Sequence, residues 1–372
     1  MIRTATRSGS RERVTRVMAH ARSAEPPTVA EEPTWGGGLR VLAVTNLWPE
    51  GDSHRGVFVA EQVRALQRLG VWVDIEVIGQ SRGVKDYLLA ARRVRRRARA
   101  GRYDLVHVHY GLTALSARFV GAPRVLSLYG SDINARWQQM LTRLGWGGTA
   151  ARIYVCRALA RTAHDRRGVV VPGGVDFDLF APVDRGQART ALGIGPDEPV
   201  VLFGGEPDRW VKGYDVFTDV LAALRERGIP VRELLLAEPG QARGDVPRKF
   251  AAADVLLFTS RKGREGSPGV VKEANAMGLP VVSVAVGDVA EVLSGVEPSA
   301  VVDFPQRWGD PSARGELVDC LADRTAEVLA SRARSNGREA TTWLESTAVA
   351  ARIVGVYHTV LRRQGRGHHR RG

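Results

Sequence analysis

The chain has 372 residues, of which 44% are hydrophobic and 25% are charged. This composition is typical of globular proteins and excludes a wholly disordered chain, and the length favours two domains of about 150 to 200 residues over a single core. The net charge of +14 comes from three arginine-rich segments, residues 1–38, 92–102 and 362–372. Because their arginines are not interleaved with aromatic residues or zinc-finger motifs, we expect no nucleic-acid partner.

The sequence has no long apolar run and few cysteines, and both features bear on the compartment of the protein and on membrane insertion. No apolar run approaches the roughly 18 to 20 residues that a membrane-spanning helix needs. The two cysteines, Cys156 and Cys320, are too few for a disulfide framework and indicate a reducing, cytoplasmic compartment. Residues 1–38 lack the apolar segment of a secretory signal, and we predict a disordered bacterial extension. An organelle transit peptide is the alternative, which four glutamates in this segment disfavour.

From Leu39 onward, apolar runs of strand length alternate with amphipathic helical stretches, as in parallel sheets that are buried on both faces. The first series of predicted strands comprises Arg40–Leu47, Trp72–Gly79, Asp104–Tyr110, Arg124–Tyr129, Ile153–Cys156 and Val169–Val171. Helices are predicted over Phe58–Leu69 and over Tyr87–Arg102, which contains the basic run 92–102. That run is either a solvated basic face or a docking surface for an anionic membrane.

The proline-containing passage 172–182 separates this series from a second one. Its predicted strands are Val200–Phe203, Glu233–Ala237, Asp254–Thr259, Pro280–Val286 and Ala300–Phe304. Two such series predict an α/β protein with two doubly wound, Rossmann-like domains that face a cleft. The predicted boundaries are 39–182 for the first domain, 183–345 for the second, 346–361 for a last amphipathic helix and 362–372 for a basic tail.

The segment Glu265–Glu273, with the sequence EGSPGVVKE, carries the clearest sign of a ligand site. Ser267 as N-cap and Pro268 at the first helical position predict that a helix begins here. The amides of Gly269 and Val270 then lie free at a positive helix end, which suits a phosphate or diphosphate. The two glutamates can reach different hydroxyls of one bound molecule. The alternative is a surface ion pair for Glu273 and a solvated Glu265, which the Ser-Pro cap between them and a basic pair, Arg209 and Lys212, disfavour.

Further candidate groups follow other strands of the two series. Gly205, Arg209 and Lys212 come after strand Val200–Phe203, and the two cations suit a diphosphate. For the pair alone, two exposed basic residues in a loop are the simpler interpretation, which the predicted helix start at Ser267 disfavours. Gly56 precedes the first helix and allows the backbone to approach a phosphate, but a plain turn fits equally well. His107 and His109 share one face of a strand. A metal site there would need more ligands, so we predict none.

Motifs of one family run from about Leu39 to Leu361. They are Val44-Thr-Asn-Leu-Trp-Pro49, Gly56-Val-Phe-Val59, Asp104-Leu-Val-His-Val-His-Tyr-Gly111, Gly130-Ser-Asp132, Pro172-Gly-Gly-Val-Asp176, Val211-Lys-Gly213, Glu265-Gly-Ser-Pro268, Lys272-Glu-Ala274 and Asn336-Gly-Arg-Glu339. In these motifs the chain resembles family 4 of the retaining glycosyltransferases, which adopt the GT-B fold. It is most similar to the bacterial members that build cell-surface polysaccharides of the teichuronic-acid type.

The resemblance implies a nucleotide-sugar donor, UDP- or GDP-linked, in the second domain, with no metal or other cofactor. Arg209 and Lys212 would neutralise the diphosphate, Glu265 would bind the donor sugar and Glu273 the ribose, and Gly56 would approach from the first domain. Glu265, Arg209 and Lys212 are the expected catalytic residues. The expected donor-binding set is completed by Gly205, Ser267, Gly269 and Val270.

His109, Tyr129 and Asp132 are expected on the donor-sugar or acceptor side. Tyr129 stands where many relatives have histidine, which leaves the sugar specificity open. The predicted reaction is transfer of a sugar, with retained configuration, to an acceptor hydroxyl of a saccharide, chiefly a lipid-linked one, at the inner face of the plasma membrane. The alternatives are a natural-product glycosyltransferase, a nucleotide-sugar epimerase and a non-catalytic binding module.

Overall fold

The structure, a computed structural model, describes residues 38–49, 56–79, 81, 83–237, 242–263, 265–308 and 310–368. Within this part the strands form one sheet of six and one of five, and all paired strands run parallel. Each strand corresponds to a predicted one, with differences of at most two residues at either end. The predicted N-terminal extension, apart from Gly38, lies outside the described residues.

The first sheet contains β1 (Arg40–Thr45), β2 (Trp72–Val77), β3 (Leu105–His109), β4 (Arg124–Leu128), β5 (Ala151–Tyr154) and β6 (Val169–Val170). Its helices are α1 (Val57–Arg68), α2 (Val84–Ala100), α3 (Ser131–Asn134), α4 (Arg136–Trp146) and α5 (Arg157–Thr162). The strand order is β2-β1-β3-β4-β5-β6, so the winding direction reverses between β1 and β3. Strands β3 and β4 are buried along their whole length, which fits their largely apolar sequences and also buries His107, His109, Arg124 and Ser127.

The second sheet contains β7 (Val200–Phe203), β8 (Arg232–Leu235), β9 (Val255–Phe258), β10 (Val281–Val284) and β11 (Ala300–Val302). Its helices are α6 (Arg185–Ala191), α7 (Tyr214–Glu226), α8 (Val246–Ala252), α9 (Gly269–Ala276), α10 (Val289–Val292), α11 (Pro311–Ser331) and α12 (Gly337–Ala340). The strand order is β11-β10-β9-β7-β8, so the winding reverses between β7 and β9. One continuous apolar core joins this sheet to its helices.

The last helix, α13 (Ser346–His368), returns to the first sheet. Its residues Val349, Ile353 and Tyr357 are buried in the same cluster as Val41 of β1. The predicted end at Leu361 is wrong, because the apolar stripe stops there while the backbone helix continues through polar residues. The predicted basic tail is therefore helical as far as His368. No helix in the described part of the chain combines the length and the apolar character that crossing a membrane requires.

Candidate active site

A cavity of about 1130 Å³ lies between the two sheets. Its walls include the loops that follow β1 and β3 on one side and β7 and β9 on the other. These are the points where the winding of each sheet reverses, which is where doubly wound sheets bind ligands. Of the twelve predicted site residues, all except His109 and Asp132 line this cavity.

Helix α9 begins at Gly269 with Pro268 as its N-cap, one residue later than predicted. No side chain caps it, so the amides of its first turn have no partner within the helix. Gly269 and Val270 both line the cavity. The helix therefore begins within one residue of the predicted position, and the positive end of its dipole faces the cavity there. Anion binding at this end stays a prediction.

Ser267 does not cap α9, and that prediction is wrong. Its hydroxyl donates to Asp288 Oδ2 at 2.5 Å and accepts a hydrogen bond from the Lys272 ammonium. Lys272 also donates to the carbonyl of Gly173 at 2.9 Å and lies 3.3 Å from Asp288. Burial lowers the pKa of Lys272, and the carboxylate of Asp288 opposes this shift. Lys272 and Asp288 thus bind the Ser267 hydroxyl and hold the loop before α9 in place. The hydroxyl is therefore not available to cap the helix.

Lys272 was not predicted as a structural residue. The only available signal was a lysine among the apolar residues of α9, on the face that the structure buries. Its side chain is only 1% exposed. Because Gly173 belongs to the passage that connects the two domains, Lys272 ties α9 to that connection.

Lys212 and Glu265 meet in the cavity. Lys212 Nζ lies 2.6 Å from Glu265 Oε1, and Ser260 donates a second hydrogen bond to the same oxygen at 3.2 Å. The stem of Lys212 lies over Gly205, where an added Cβ would be 2.9 Å from Lys212 Cγ. Gly205 therefore makes room for the lysine, and the pair places one positive and one negative group beside the first turn of α9.

Arg209 lies at the rim of the same cavity. Its side chain is 58% exposed, and Nε lies 4.0 Å from a carboxylate oxygen of Glu206. Such an exposed ion pair constrains the side chain only weakly. Arg209 is therefore able to turn toward an anion in the cavity.

Glu273 is buried and bonded to Arg243, which sequence reasoning missed. The Arg243 guanidinium donates to Glu273 Oε1 at 2.6 Å and to Glu61 Oε1 at 3.1 Å. Glu61 lies on α1 of the first domain, and burial raises its pKa while Arg243 acts to lower it. Nothing in the sequence distinguishes Glu61 or Arg243 from ordinary surface residues.

Gly56 precedes α1 with φ of +81°, a conformation that residues with a side chain rarely adopt. A Cβ at this position would collide with the backbone of Leu47 and Trp48. Gly56 therefore lets the segment after β1 and the start of α1 approach each other at the cavity wall. Residues 50–55 of this loop lie outside the described part of the chain.

Tyr129 lines the cavity with its ring, which packs edge to face against Phe58 at 4.8 Å between centroids. Its hydroxyl turns inward and hydrogen-bonds with His109 Nδ1 at 2.7 Å. His109 lies behind the wall, and burial lowers its pKa to about 3. His109 is therefore neutral, and its connection to the cavity runs through Tyr129.

The rings of His107 and His109 pack against each other at a tilt of 32°, with 4.1 Å between their centroids, which confirms that both side chains share one face. Both ring nitrogens of His107 are engaged, by Tyr357 at 2.6 Å and by Ser127 at 2.8 Å. The described residues contain no group of three or more histidine, cysteine, aspartate or glutamate side chains that could hold a metal ion.

Asp132 also lies behind the cavity wall and is fully buried. Its carboxylate accepts hydrogen bonds from the backbone amides of Tyr129, Gly130 and Gly111 at 2.8 to 3.3 Å. Burial raises the pKa of Asp132 to about 6, and the amides act in the opposite direction. Asp132 thus fixes the turn that carries Tyr129, and its carboxylate is directed at backbone instead of at the cavity.

Comparison with known proteins agrees with this architecture. Residues 40–179 match the family described as Glycosyltransferase Family 4, and residues 198–310 match Glycosyl transferases group 1. D-inositol 3-phosphate glycosyltransferase 1 of Catenulispora acidiphila is 27% identical over 327 residues, which cover 72% of this chain and 74% of that protein. The D-inositol 3-phosphate glycosyltransferase of Actinosynnema mirum is 28% identical over 309 residues, which cover 67% of this chain and 73% of that protein. A special closeness to teichuronic-acid-type enzymes stays a prediction.

Solved structures share the fold. Sucrose-phosphate synthase from Thermosynechococcus elongatus superposes with a TM-score of 0.68 at 17% identity, covering 87% of this chain and all of the other. HepE from Anabaena, solved in complex with UDP and glucose, superposes with a TM-score of 0.62 at 17% identity, covering 86% of this chain and all of the other. With its two parallel sheets and the two family matches, the chain belongs to the family 4 glycosyltransferases of the GT-B fold.

Proposed function

We propose that this protein transfers a sugar from a nucleoside-diphosphate sugar, UDP- or GDP-linked, to an acceptor hydroxyl with retention of configuration and without a metal ion. The observation that carries the proposal is the Lys212–Glu265 pair beside the uncapped start of α9. Together these groups offer positive charge to a diphosphate and an acceptor oxygen to a sugar hydroxyl. The complex of HepE with UDP and glucose supports a donor of this class.

The chemistry follows from charge placement. When the bond from the sugar C1 to the diphosphate breaks, negative charge grows on the leaving oxygen. The α9 amides, Lys212 and Arg209 stabilise this charge in place of a metal ion. The acceptor oxygen bonds to C1 on the same face, and its proton passes to the leaving phosphate oxygen. Glu265, released from Lys212, holds the sugar while C1 carries positive charge.

The ribose of the donor would bind at Glu273, whose carboxylate lies beside the first turn of α9. Glu273 Oε1 is 3.7 Å from the position of a Cβ added to Gly269. A diphosphate on the α9 amides would therefore carry its nucleoside toward Glu273 and its sugar toward Glu265. Gly56 closes the cavity from the first domain.

The experiment is a transfer assay of the purified protein with a panel of nucleotide sugars and saccharide acceptors. Transfer should continue in EDTA, and the anomeric configuration of the product, read by NMR, should equal that of the donor. Inversion or loss of activity in EDTA would contradict the mechanism. Conversion of the donor without an acceptor would instead indicate an epimerase.

For the acceptor we propose a lipid-linked saccharide of a cell-surface polysaccharide or glycoconjugate pathway, met at the cytoplasmic face of the membrane. The similarity to inositol 3-phosphate glycosyltransferases makes a small phosphorylated polyol the alternative. Helix α2 exposes Leu88 and Leu89 next to its exposed arginines. Arg93 and Arg97 are paired with Glu76, which leaves the other arginines of the helix as the membrane-facing charge.

Helix α4 adds an apolar stripe to the same domain. Trp137, Met140 and Leu144 are each more than half exposed, and Trp137 also lines the cavity. Both α2 and α4 pack on the 3₁₀ segment Gly111–Leu115 that follows β3. The two helices thus lie on one side of the first sheet. A lipid tail bound along the apolar stripe of α4 would extend from a membrane toward the cavity. The test is competition between a lipid-linked saccharide and inositol phosphate for one nucleotide-sugar donor.

A further inference from the structure

Arg243 joins the two domains at the Glu273 end of the cavity. From Nε and one terminal nitrogen it donates to Glu61 Oε1 at 3.1 Å, and the same terminal nitrogen donates to Glu273 Oε1 at 2.6 Å. Glu61 lies on α1 of the first domain and Glu273 on α9 of the second. One cation therefore bridges a carboxylate of each domain.

The surroundings hold the guanidinium in place. It stacks over the ring of Phe180 with 4.8 Å to the centroid, and only 28% of the Arg243 side chain is exposed. The side chains of Glu61 and Glu273 are 12% and 11% exposed. A planar guanidinium that is stacked and bonded to two carboxylates is more restricted than a surface arginine.

The bridge constrains one side of Glu273. Arg243 contacts Oε1 of this carboxylate, so the orientation of Oε2 is set as well. A carboxylate held in one orientation accepts hydrogen bonds from two neighbouring hydroxyls more readily than a freely rotating one. This arrangement suits the ribose hydroxyls of the proposed donor.

We infer that Arg243 is a positioning residue for nucleoside recognition. It orients Glu273 toward the ribose and, through Glu61, couples nucleoside binding to the contact between the two domains. This inference rests on the proposed function of the same cavity. The inference divides the donor site into two halves. Arg243 affects binding of the nucleoside, and Lys212 affects binding of the diphosphate.

The experiment measures binding of UDP, GDP and inorganic pyrophosphate to the full-length chain by calorimetry. In Arg243→Gln the dissociation constant of the nucleotide that the wild type binds should rise about tenfold, and that of pyrophosphate should stay within about twofold. Lys212→Ala should weaken both ligands. Arg243→Lys should recover part of the nucleotide affinity, because it keeps the charge but not the fork.

Glu61→Gln tests the coupling between the domains. As a single substitution, it should weaken nucleotide binding about threefold. Added to Arg243→Gln, it should have no further effect, because the bridge is already lost in that variant. Arg227→Gln is the matched control, since Arg227 also bridges two carboxylates, Asp319 and Asp323, away from the cavity. It should leave all affinities unchanged.

Unchanged nucleotide affinity in Arg243→Gln, or an equal loss of pyrophosphate affinity, would overturn the inference and leave the proposed function intact. A wild-type protein that binds neither nucleotide would overturn both. If Arg243→Gln does not fold, Glu61→Gln decides alone. A selective loss of nucleotide affinity supports the bridge, and unchanged affinity refutes it.

Discussion

Lys212 Nζ lies 2.6 Å from Glu265 Oε1, with 21% and 16% of the two side chains exposed. At this distance each group neutralises the other. A nucleotide sugar would separate them, because its diphosphate is a stronger partner for the ammonium and its sugar hydroxyls can donate to the carboxylate. The pair therefore holds two charged groups of the proposed donor site in defined positions.

Replacing Lys212 with alanine should lower kcat by about 10²- to 10³-fold, the usual effect of removing one group that stabilises developing negative charge. The measurement is the initial rate at saturating donor. Lys262→Ala is the control, because Lys262 is exposed in a nearby turn outside the cavity. Equal rates for Lys212→Ala and the wild type would contradict the proposed role.

Gly56 and Gly70 offer a matched pair at the two ends of α1, because both have φ of +81°. Gly70→Ala has open space for the new Cβ and should cost about 1 kcal/mol of stability from backbone strain, with activity unchanged. Gly56→Ala adds a collision with Leu47 and Trp48. It should cost more stability and lower kcat/KM at least about tenfold, since it displaces the cavity wall.

Urea unfolding and steady-state kinetics on both variants separate strain from the effect on the site. If Gly56→Ala matched Gly70→Ala in stability and activity, the close approach at Gly56 would have no functional role.

The strands could be predicted from the sequence because parallel strands buried on both faces are rich in apolar residues along their length. The cavity residues could be predicted because the carboxyl ends of such strands converge. The capping role of Ser267 could not be excluded, since Asp288, which takes its hydroxyl, lies 21 positions away. Arg243 and Glu61 are 182 positions apart, and only the docking of one domain on the other brings them together.

Asp132 predicts a specific pH dependence of stability. Its folded pKa of about 6 lies above the ordinary 3.8, so the stabilisation is complete below pH 3.8 and is lost as the pH rises through 6. Relative to Asp132→Asn, the wild type should lose about 3 kcal/mol of unfolding free energy between pH 4 and 7. The buried histidines are present in both proteins, so their contribution cancels in the difference.

The measurement is urea unfolding of wild type and Asp132→Asn at several pH values across this window. A difference in unfolding free energy that is independent of pH would show that Asp132 is ionised throughout.

The basic face of α2 predicts binding to anionic membranes. Replacing Arg92, Arg95 and Arg96 with glutamine should weaken binding to vesicles containing phosphatidylglycerol about a hundredfold, at about 1 kcal/mol per arginine. Cosedimentation measures the effect, and salt should reduce wild-type binding. The control replaces three exposed arginines of the second domain, Arg248, Arg324 and Arg332, and should bind like the wild type. Equal losses in both triple variants would argue against a docking face on α2.

The return of α13 to the first sheet has a consequence for biosynthesis. Val349, Ile353 and Tyr357 cover a face that begins with Val41 of β1, and the ribosome makes these residues about three hundred positions later. Until then the nascent chain carries an open apolar surface, the kind of surface that recruits chaperones or aggregates. A premature stop codon before Ser346 would therefore damage the domain that is translated first.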